Sequence, residues 1–520
     1  MIRQKQKIGV ETCTESIQMI LLAYLFLMCT ALPLYMKNGY YELGEAKYLF
    51  YRNLSLGTIA VLLPFMLFAI SGITKWNHKD YMRIPVLCYV FSIIVSFGFS
   101  FNHQESFWGT DGWRMGFLTE LVILFYFIAF RFFFAWDTRI LESCLLGALL
   151  VFGLGLLNRF DVYPIASLRG DRSFISTLGN INWYCGFLAV FLPVGMGLLI
   201  RTRVTVGEQI FLSVFCLIGL LTAMTQGGES ILLSLAAVYA VLFIQGLRNR
   251  DHWRGFLYLL ILLGAACEIV GILQRLFPGQ YTYEQDAGFV VLITRHVGLI
   301  LCMTAVFLLT ADFLCSEIGM KWNGKKIGDT LLLTLPYILT IVPIGMLLMQ
   351  MSGRIADGFG SERGLIWRIS AQMYGSMSPL HKMIGIGQDA YDSYAASIPK
   401  VMLEIQNEFG NSRLTNAHGD LLNMLVTKGA AGVLTYLWML FTIENILVQR
   451  LMKQEKECPK VSGDLGDTDQ SCDLQNAALI GVLVLSSYLA GNTVSFGQIT
   501  STPYLFIFLG YAMMRIKQKD

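Results

Sequence analysis

Long apolar segments, separated by shorter polar ones, dominate the hydropathy pattern of this chain. Fourteen segments approach the roughly 20 apolar residues that an α-helix needs to cross a lipid bilayer. They lie at residues 17–36, 54–73, 84–101, 115–134, 140–157, 183–200, 210–224, 231–244, 256–273, 297–314, 331–349, 429–446, 477–490 and 503–514. Several of them are short, so the pattern predicts twelve to fourteen spanning helices. The expected fold class is an all-α, polytopic integral membrane protein.

The positions of lysine and arginine predict an orientation for these helices. With the N-terminus in the cytoplasm, more than half of the 39 Lys and Arg residues fall in loops on the cytoplasmic side. An excess of positive residues is typical of cytoplasmic loops. An even number of helices also returns the basic segment RIKQKD to the cytoplasm. We therefore expect a multi-pass protein of the cytoplasmic (inner) membrane.

The same pattern divides the chain into five parts. Residues 1–349 would hold the first eleven helices, and 350–417 would form a long external loop with short helices. Loops of this length are usually functional. The region 418–449 would carry the twelfth helix, and 477–520 the last two. The polar composition of 450–476 predicts a disordered cytoplasmic linker.

Composition agrees with a lipid environment and argues against nucleic acid as a partner. The chain is 55% hydrophobic and only 14% charged, whereas soluble proteins carry about 25% charged residues. Membrane lipids are therefore the expected surroundings of much of its surface. The formal net charge of +3 is too small to indicate binding to nucleic acid.

Arginine and histidine residues stand beside predicted helix ends on the external side. Arg169 and Arg172 precede the sixth helix, Arg363 and Arg368 lie in the long loop, and His418 precedes the twelfth helix. Guanidinium groups suit phosphate oxygens because they can donate two parallel hydrogen bonds. Imidazole suits a general base, because its ordinary pKa is about 6.5. The same residues could instead be interfacial anchors, which is the commonest use of arginine at a membrane surface.

The order of motifs in the long loop resembles that of the O-antigen ligase and O-antigen polymerase family. In that family the loop opens with an arginine and a tryptophan, continues with a proline and a G-x-G turn, and closes on a histidine before G-x-x-G. The matching residues here are Arg363, Trp367, Pro379, Gly385, Gly387, His418, Gly429 and Gly432. An upstream arginine before an asparagine-rich run is matched by Arg172 and residues 179–182.

This chain departs from the family pattern at three points. Gly419 follows the histidine where Asn or Ser is usual, and HKMI lengthens the segment between Pro379 and Gly385. A Ser-Arg pair common before the eighth helix is replaced by residues 226–230, QGGES. These departures concern the geometry around His418 and the supply of arginine at the start of the eighth helix.

The resemblance implies a GT-C-like fold and a glycosyltransferase that works without a metal or other cofactor. Its donor would be an undecaprenyl-pyrophosphate-linked glycan, and its acceptor a glycan, a lipid or a protein at the outer face of the membrane. His418 and Arg363 would be catalytic, with His418 as the base. The donor pyrophosphate would be bound by Arg172, Arg363, Arg368 and Arg169. The motifs do not separate a ligase from a polymerase.

Two other classes of function remain open from the sequence. A flippase or transporter of lipid-linked glycans would suit the helix count, although such proteins often carry internal repeats. A membrane scaffold or sensor is a third possibility. The intramembrane carboxylates Glu120 and Glu268 could line a substrate cavity or pair with a neighbouring helix, since isolated charges there are costly.

Overall fold

The computed structural model shows an almost wholly helical chain. Its only strands among the described residues are β1 (Phe174–Ile175) and β2 (Gly179–Asn180), which form one short antiparallel pair. The described residues are 2–71, 80–134, 137–170, 174–201, 204–281, 287–360, 362–410, 412–454 and 468–514. The prediction of an all-α, polytopic membrane protein is confirmed at this level.

Within the described part of the chain, eleven helices are long and apolar enough to cross a membrane. They are α1 (Ile2–Leu34), α2 (Leu43–Ser71), α6 (Thr138–Arg159), α7 (Ile181–Leu199), α8 (Val206–Gln226), α9 (Glu229–Arg248), α10 (Arg250–Leu276), α12 (Val297–Glu317), α13 (Lys325–Met351), α18 (Asp420–Gln454) and α19 (Thr468–Gly491). Three shorter helices complete the set of predicted segments: α3 (Arg83–Gly98), α5 (Phe117–Phe133) and α20 (Thr502–Ala512). Each of the fourteen apolar segments thus falls on a helix.

The remaining helices are short and lie between the long ones. They are α4 (His103–Trp108), α11 (Ala287–Thr294), α14 (Arg363–Ser376), α15 (Pro379–Ile384), α16 (Tyr391–Ser397) and α17 (Pro399–Phe409). Four of these, α14 to α17, belong to the long loop, where short helices were expected. Helices α18 and α19 extend into both ends of the predicted linker 450–476, and residues 455–467 lie outside the described residues.

Ion pairs with at least one buried partner join the helices at the end of the bundle opposite the long loop, which we call the tail end. Arginines at helix ends there bind carboxylates of neighbouring helices or turns at 2.6–2.8 Å. The pairs are Arg131–Asp80, Arg201–Glu142, Arg248–Asp329 and Arg254–Asp312. These contacts agree with an alternating up-and-down path, because they join the finish of one helix to the start of another.

A buried lysine closes the first helix at the opposite end of the bundle, which we call the loop end. The Lys47 ammonium donates to the carbonyls of Leu32, Pro33 and Tyr35 at 3.1, 3.0 and 3.0 Å. The last carbonyls of a helix have no partner within the helix and carry partial negative charge. Lys47 therefore satisfies the end of α1 with all three of its donors and fixes α2 beside it.

Helix α18 breaks at Gly429, near the loop end. Gly429 has φ 68° and ψ −176°, so the helical ladder is interrupted there. The freed carbonyls of Val426 and Thr427 accept hydrogen bonds from the backbone N–H of Ile386, at 3.3 Å, and Gly387, at 2.9 Å. Broken helices are tolerated at membrane depth only where other protein groups satisfy the freed backbone. The segment after α15 therefore completes α18 at its break.

The backbones meet so closely at this point that side chains are excluded. A Cβ on Gly385 would lie 2.2 Å from the Thr427 carbonyl oxygen, and one on Gly429 would lie 2.4 Å from the Met383 carbonyl. Both glycines also have positive φ, a region that L-residues adopt at a cost. The same close backbone contact therefore explains why glycine stands both at Gly385 of the G-x-G turn and at Gly429 of the G-x-x-G motif.

We expect Gly429→Ala to destabilise the protein by at least about 2 kcal/mol, since left-handed strain of roughly 1–2 kcal/mol adds to a backbone clash. Thermal unfolding in detergent would measure this change. Gly345→Ala is the matched control, because Gly345 lies in α13 with no atom within 4 Å of its added Cβ. Equal unfolding temperatures for the two variants would contradict the role assigned to the break.

Candidate functional site

His418 lies in the turn that enters α18, two residues before the helix begins. It adopts a left-handed backbone conformation with φ 48°, and its N–H donates to Oδ1 of Asn416 at 3.0 Å. Its carbonyl accepts a hydrogen bond from Nε1 of Trp367 at 3.2 Å. A non-glycine residue in this conformation costs of the order of 1–3 kcal/mol and is often found at functional sites. These bonds hold the His418 backbone in place.

Helix α14 brings Arg363 to the same place. Arg363 begins the helix, and Trp367 follows one turn later on the same face. The Arg363 Nη1 group donates to Oε2 of Glu229 at 2.6 Å and to the Gly360 carbonyl at 2.9 Å. Its Nε is buried without a partner among the described residues. The structure therefore brings two sequence-predicted residues, Arg363 and His418, together through Trp367.

The surroundings of His418 favour its neutral form. Burial, and then the positive charge of Arg363, lowers the pKa of His418 to about 4. The ordinary pKa near 6.5 that the sequence predicted therefore does not apply in this structure. At neutral pH the ring is uncharged and can accept a proton, although a group with so low a pKa is a weak base.

An aromatic wall stands against the imidazole. The ring of Phe496 meets that of His418 edge-on with centroids 5.1 Å apart. Trp113 packs on Phe496 at 4.9 Å and on Trp183 at 5.5 Å. These rings come from three separate loop-end segments, before α5, at the start of α7 and between α19 and α20. They restrict the orientation of the imidazole and shield one side of it.

The other predicted arginines have different environments. Arg368 is held by Asp357 at 2.9 Å and by Glu404 at 2.5 Å. These carboxylates raise its pKa. Arg169 is 73% exposed in its side chain and lies 3.8 Å from Asp161. Arg172 lies outside the described residues. Pyrophosphate binding by these three arginines stays a prediction.

A buried ionic cluster lies along α18 below His418. The Lys428 ammonium is 2.5 Å from Oε1 of Glu120 and 3.1 Å from the Tyr89 hydroxyl. Asp420, two residues after His418, accepts a hydrogen bond from the Gly497 N–H at 3.2 Å. Asp420, Lys428, Glu120 and Tyr89 share a cavity of about 50 Å³. Glu120 therefore pairs with a neighbouring helix, as one of the two alternatives predicted, and a role in a substrate cavity stays a prediction.

The loop after Gly387 is fastened to the segment between α3 and α5. The Asp389 carboxylate accepts hydrogen bonds from the backbone N–H of Thr110 at 2.7 Å and of Met115 at 3.2 Å. Burial raises the pKa of Asp389 to about 7 despite these two donors, and the nearby Glu105 contributes. This contact fixes the position of the 110–115 segment, which carries Trp113.

Several of these partners could not be identified from the sequence. Glu229 belongs to the QGGES segment, and it binds Arg363. Gln226, from the same replacement, accepts two bonds from the buried Arg159 at 3.1 and 2.9 Å. Lys428 was a detectable signal, because a lysine within an apolar helix requires a buried partner. Each partner is distant in the chain, so residue spacing could not identify it.

Glu268, the second intramembrane carboxylate, pairs with a neighbouring helix. Glu268 accepts from the Leu299 N–H at 3.0 Å and lies 3.3 Å from Nδ1 of His296, so it binds the start of α12. Among the described residues, no group of three or more His, Cys, Asp or Glu side chains is arranged to hold a metal ion.

Comparison with protein-family models and with curated proteins gives no match for this chain. The resemblance to the O-antigen ligase and polymerase family therefore rests on the sequence motifs alone. What the fold itself defines is a multi-pass helical membrane protein with a polar site at its loop end.

We expect Arg363→Gln to raise the pKa of His418 above about 4, because it removes the second cause of the lowered value. The rise should stop short of the ordinary value, since burial is the larger cause. Proton NMR of the imidazole signals against pH would measure it, with His418→Gln identifying the signal. Arg354→Gln, at an exposed loop arginine, should leave it unchanged. An unchanged pKa in Arg363→Gln would contradict the electrostatic coupling.

The raised pKa of Asp389 predicts a pH-dependent stability. The native protein retains a proton that the unfolded chain loses near pH 3.9, so this contribution is full at low pH and declines as pH rises toward about 7. Asp389→Asn has no carboxyl group to ionise at this position. As pH rises from 5 to 8, its free energy of unfolding should therefore increase by roughly 2–3 kcal/mol relative to that of wild type. Thermal unfolding at each pH would measure this difference.

The lowered pKa of His418 gives a contribution to the free energy of unfolding that declines as pH falls. This contribution is common to wild type and to each variant, so the difference between them does not contain it. Glu362→Gln, at an exposed carboxylate, is the matched control and should show no such trend. A difference between Asp389→Asn and wild type that does not vary with pH would contradict the assignment to Asp389.

Proposed function

We propose that this chain is a membrane glycosyltransferase of the O-antigen ligase or polymerase kind. It would transfer an oligosaccharide or polysaccharide from an undecaprenyl-pyrophosphate carrier to an acceptor at the outer face of the cytoplasmic membrane. The observation that supports the proposal is that α14 carries both Arg363 and Trp367, and that the Trp367 indole bonds the His418 carbonyl. A guanidinium group and a neutral imidazole then lie in the same region at one end of the bundle, where the resemblance implies a phosphate-binding group and a base.

The proposed reaction is a displacement at the anomeric carbon of the donor sugar. The acceptor hydroxyl oxygen forms the new bond to that carbon, and the bond from the carbon to the pyrophosphate oxygen breaks. His418 accepts the hydroxyl proton, and undecaprenyl pyrophosphate leaves with the bonding electrons. Arg363 stabilises the charge that develops on the leaving group. Its buried Nε offers a donor in addition to Nη1, which Glu229 occupies.

Donor binding would also raise the pKa of the base, His418. Arg363 contributes to the low pKa of His418. A pyrophosphate bound to Arg363 would offset that positive charge, and the pKa of His418 would rise toward the working pH. General bases are most effective when their pKa lies near that pH. The base would therefore become stronger when the donor is in place.

The other parts of the proposal follow from the sequence resemblance. Arg172, Arg368 and Arg169 would extend the pyrophosphate site, and the helical bundle would be GT-C-like. The expected partners are the carrier-linked glycan, an acceptor glycan, lipid or protein, and membrane lipids. The proposed transfer needs no resident metal or cofactor, because guanidinium groups would supply the positive charge at the pyrophosphate.

The first test uses purified protein in detergent with an undecaprenyl-pyrophosphate-linked repeat as the only substrate, with and without a chelator. A ladder of longer lipid-linked products identifies a polymerase. Transfer only after a candidate acceptor is added identifies a ligase. His418→Ala and Arg363→Ala should each lower the rate at least about 100-fold, as expected for loss of a general base or a charge-stabilising group.

Arg354→Ala is the matched control, because Arg354 is an exposed arginine of the same loop. Its rate should stay near that of wild type. Wild-type rates from both His418→Ala and Arg363→Ala would overturn the assignment. In cells, a flippase would instead leave the carrier-linked repeat on the inner face when the protein is removed, whereas loss of a transferase leaves it on the outer face.

A further inference from the structure

An open cavity of about 290 Å³ lies at the loop end, outside the group formed by Arg363, Trp367 and His418. Its walls come from the segment between α3 and α5 and from the long loop. The lining residues are Asn102, Gln104, Glu105, Trp108, Gly109, Thr110, Asp111, Arg114, Ser393 and Arg413. Its volume is at the small end of the range for small-molecule sites, roughly 300–1,000 Å³.

The charges in this cavity are already paired. Arg114 binds Glu45 at 2.7 Å and Asp111 at 2.5 Å. The Nε group of Arg413 donates to Asp392 at 2.7 Å. Paired charges of both signs favour neither an anion nor a metal cation. They do offer many hydrogen-bond donors and acceptors to a neutral, polar ligand.

An aromatic side chain accompanies these polar groups. Trp108 is 40% exposed, and Phe107 packs edge-on against it with centroids 4.9 Å apart. The Arg52 guanidinium lies over its indole at 5.7 Å from the ring centroid, and the remaining exposed part offers apolar area to the C–H face of a ring. The exposed side chains of Gln104 and Asp111 offer partners to hydroxyl groups, whereas Asn102 and Glu105 bond each other. Flat apolar area beside amide and carboxylate groups is the chemistry that recognises a sugar ring.

Two chain segments run from the wall of this cavity to the candidate site. Arg114 of its wall adjoins Trp113 in the chain, and Trp113 packs on Phe496, which packs on His418. Arg413 lies five residues before His418 in the segment that leads to α18. The cavity and the candidate site therefore share two chain segments, with the rings of Trp113 and Phe496 between Arg114 and His418.

We propose that this cavity binds one sugar ring of the acceptor glycan, stacked on Trp108, and so holds the acceptor at the same end of the bundle as His418. This assignment rests on the proposed function and names its acceptor as a carbohydrate. It divides the site into a pyrophosphate part at Arg363 and a saccharide part between Trp108 and Arg413.

Saturation-transfer NMR of the full chain in detergent tests the cavity without turnover. The probes are free glucose, galactose, N-acetylglucosamine and glucuronic acid. At least one should receive saturation from the wild-type protein, and Trp108→Ala should lower that signal several-fold. Trp108→Tyr should retain it, because a ring remains. Trp438→Ala is the matched control, since Trp438 is an exposed tryptophan on α18.

A transfer assay separates this inference from the proposed function. With a saccharide acceptor, Trp108→Ala should raise the acceptor KM by up to about tenfold with little change in kcat, because it removes binding alone. Absence of sugar saturation in wild type, or equal signals in wild type and Trp108→Ala, overturns the inference. Sugar binding that depends on Trp108 in a protein without transfer activity would support the cavity and reject the transferase function.

Discussion

The break of α18 at Gly429 is the constraint on which the loop end depends. A helix interrupted near the membrane must satisfy its freed carbonyls with other protein groups. Here Ile386 and Gly387 supply those donors, so the long loop is bonded into the bundle. The same segment continues to Asp389, which binds the N–H groups before α5. One irregularity in a helix therefore fixes two loops that flank the candidate site.

Charge pairing then determines what the loop end can bind. The Lys428 charge is balanced by Glu120, with the Tyr89 hydroxyl as an additional partner. Arg363 binds Glu229 through one nitrogen, and its Nε stays buried without a partner in the described part of the chain. An unsatisfied buried donor costs free energy that an anionic ligand can recover. Arg363 thus differs from Lys428, whose contacts with Glu120 and Tyr89 serve stability.

Much of the fold could be predicted from the sequence, because a helix that crosses lipid needs a continuous apolar segment. Apolar length located the fourteen helical segments, and the motif order placed Arg363 and His418 near one another. The pairing of Arg363 with Glu229 could not be predicted, since these residues are 134 positions apart and no periodicity links them. The lowered pKa of His418 could not be predicted either, because it depends on burial, which is a property of the packed structure.

The low pKa of His418 connects the two halves of the site. A base held neutral beside a cation is available at any physiological pH, yet it is weak until the cation is neutralised. Neutralisation requires an anion at Arg363, and the carrier pyrophosphate is the anion in the proposed reaction. The coupling is reciprocal, because an imidazole that gains a proton beside the anion also strengthens anion binding. Donor binding and base strength would then rise together, and water would meet only the weaker base when no donor is bound.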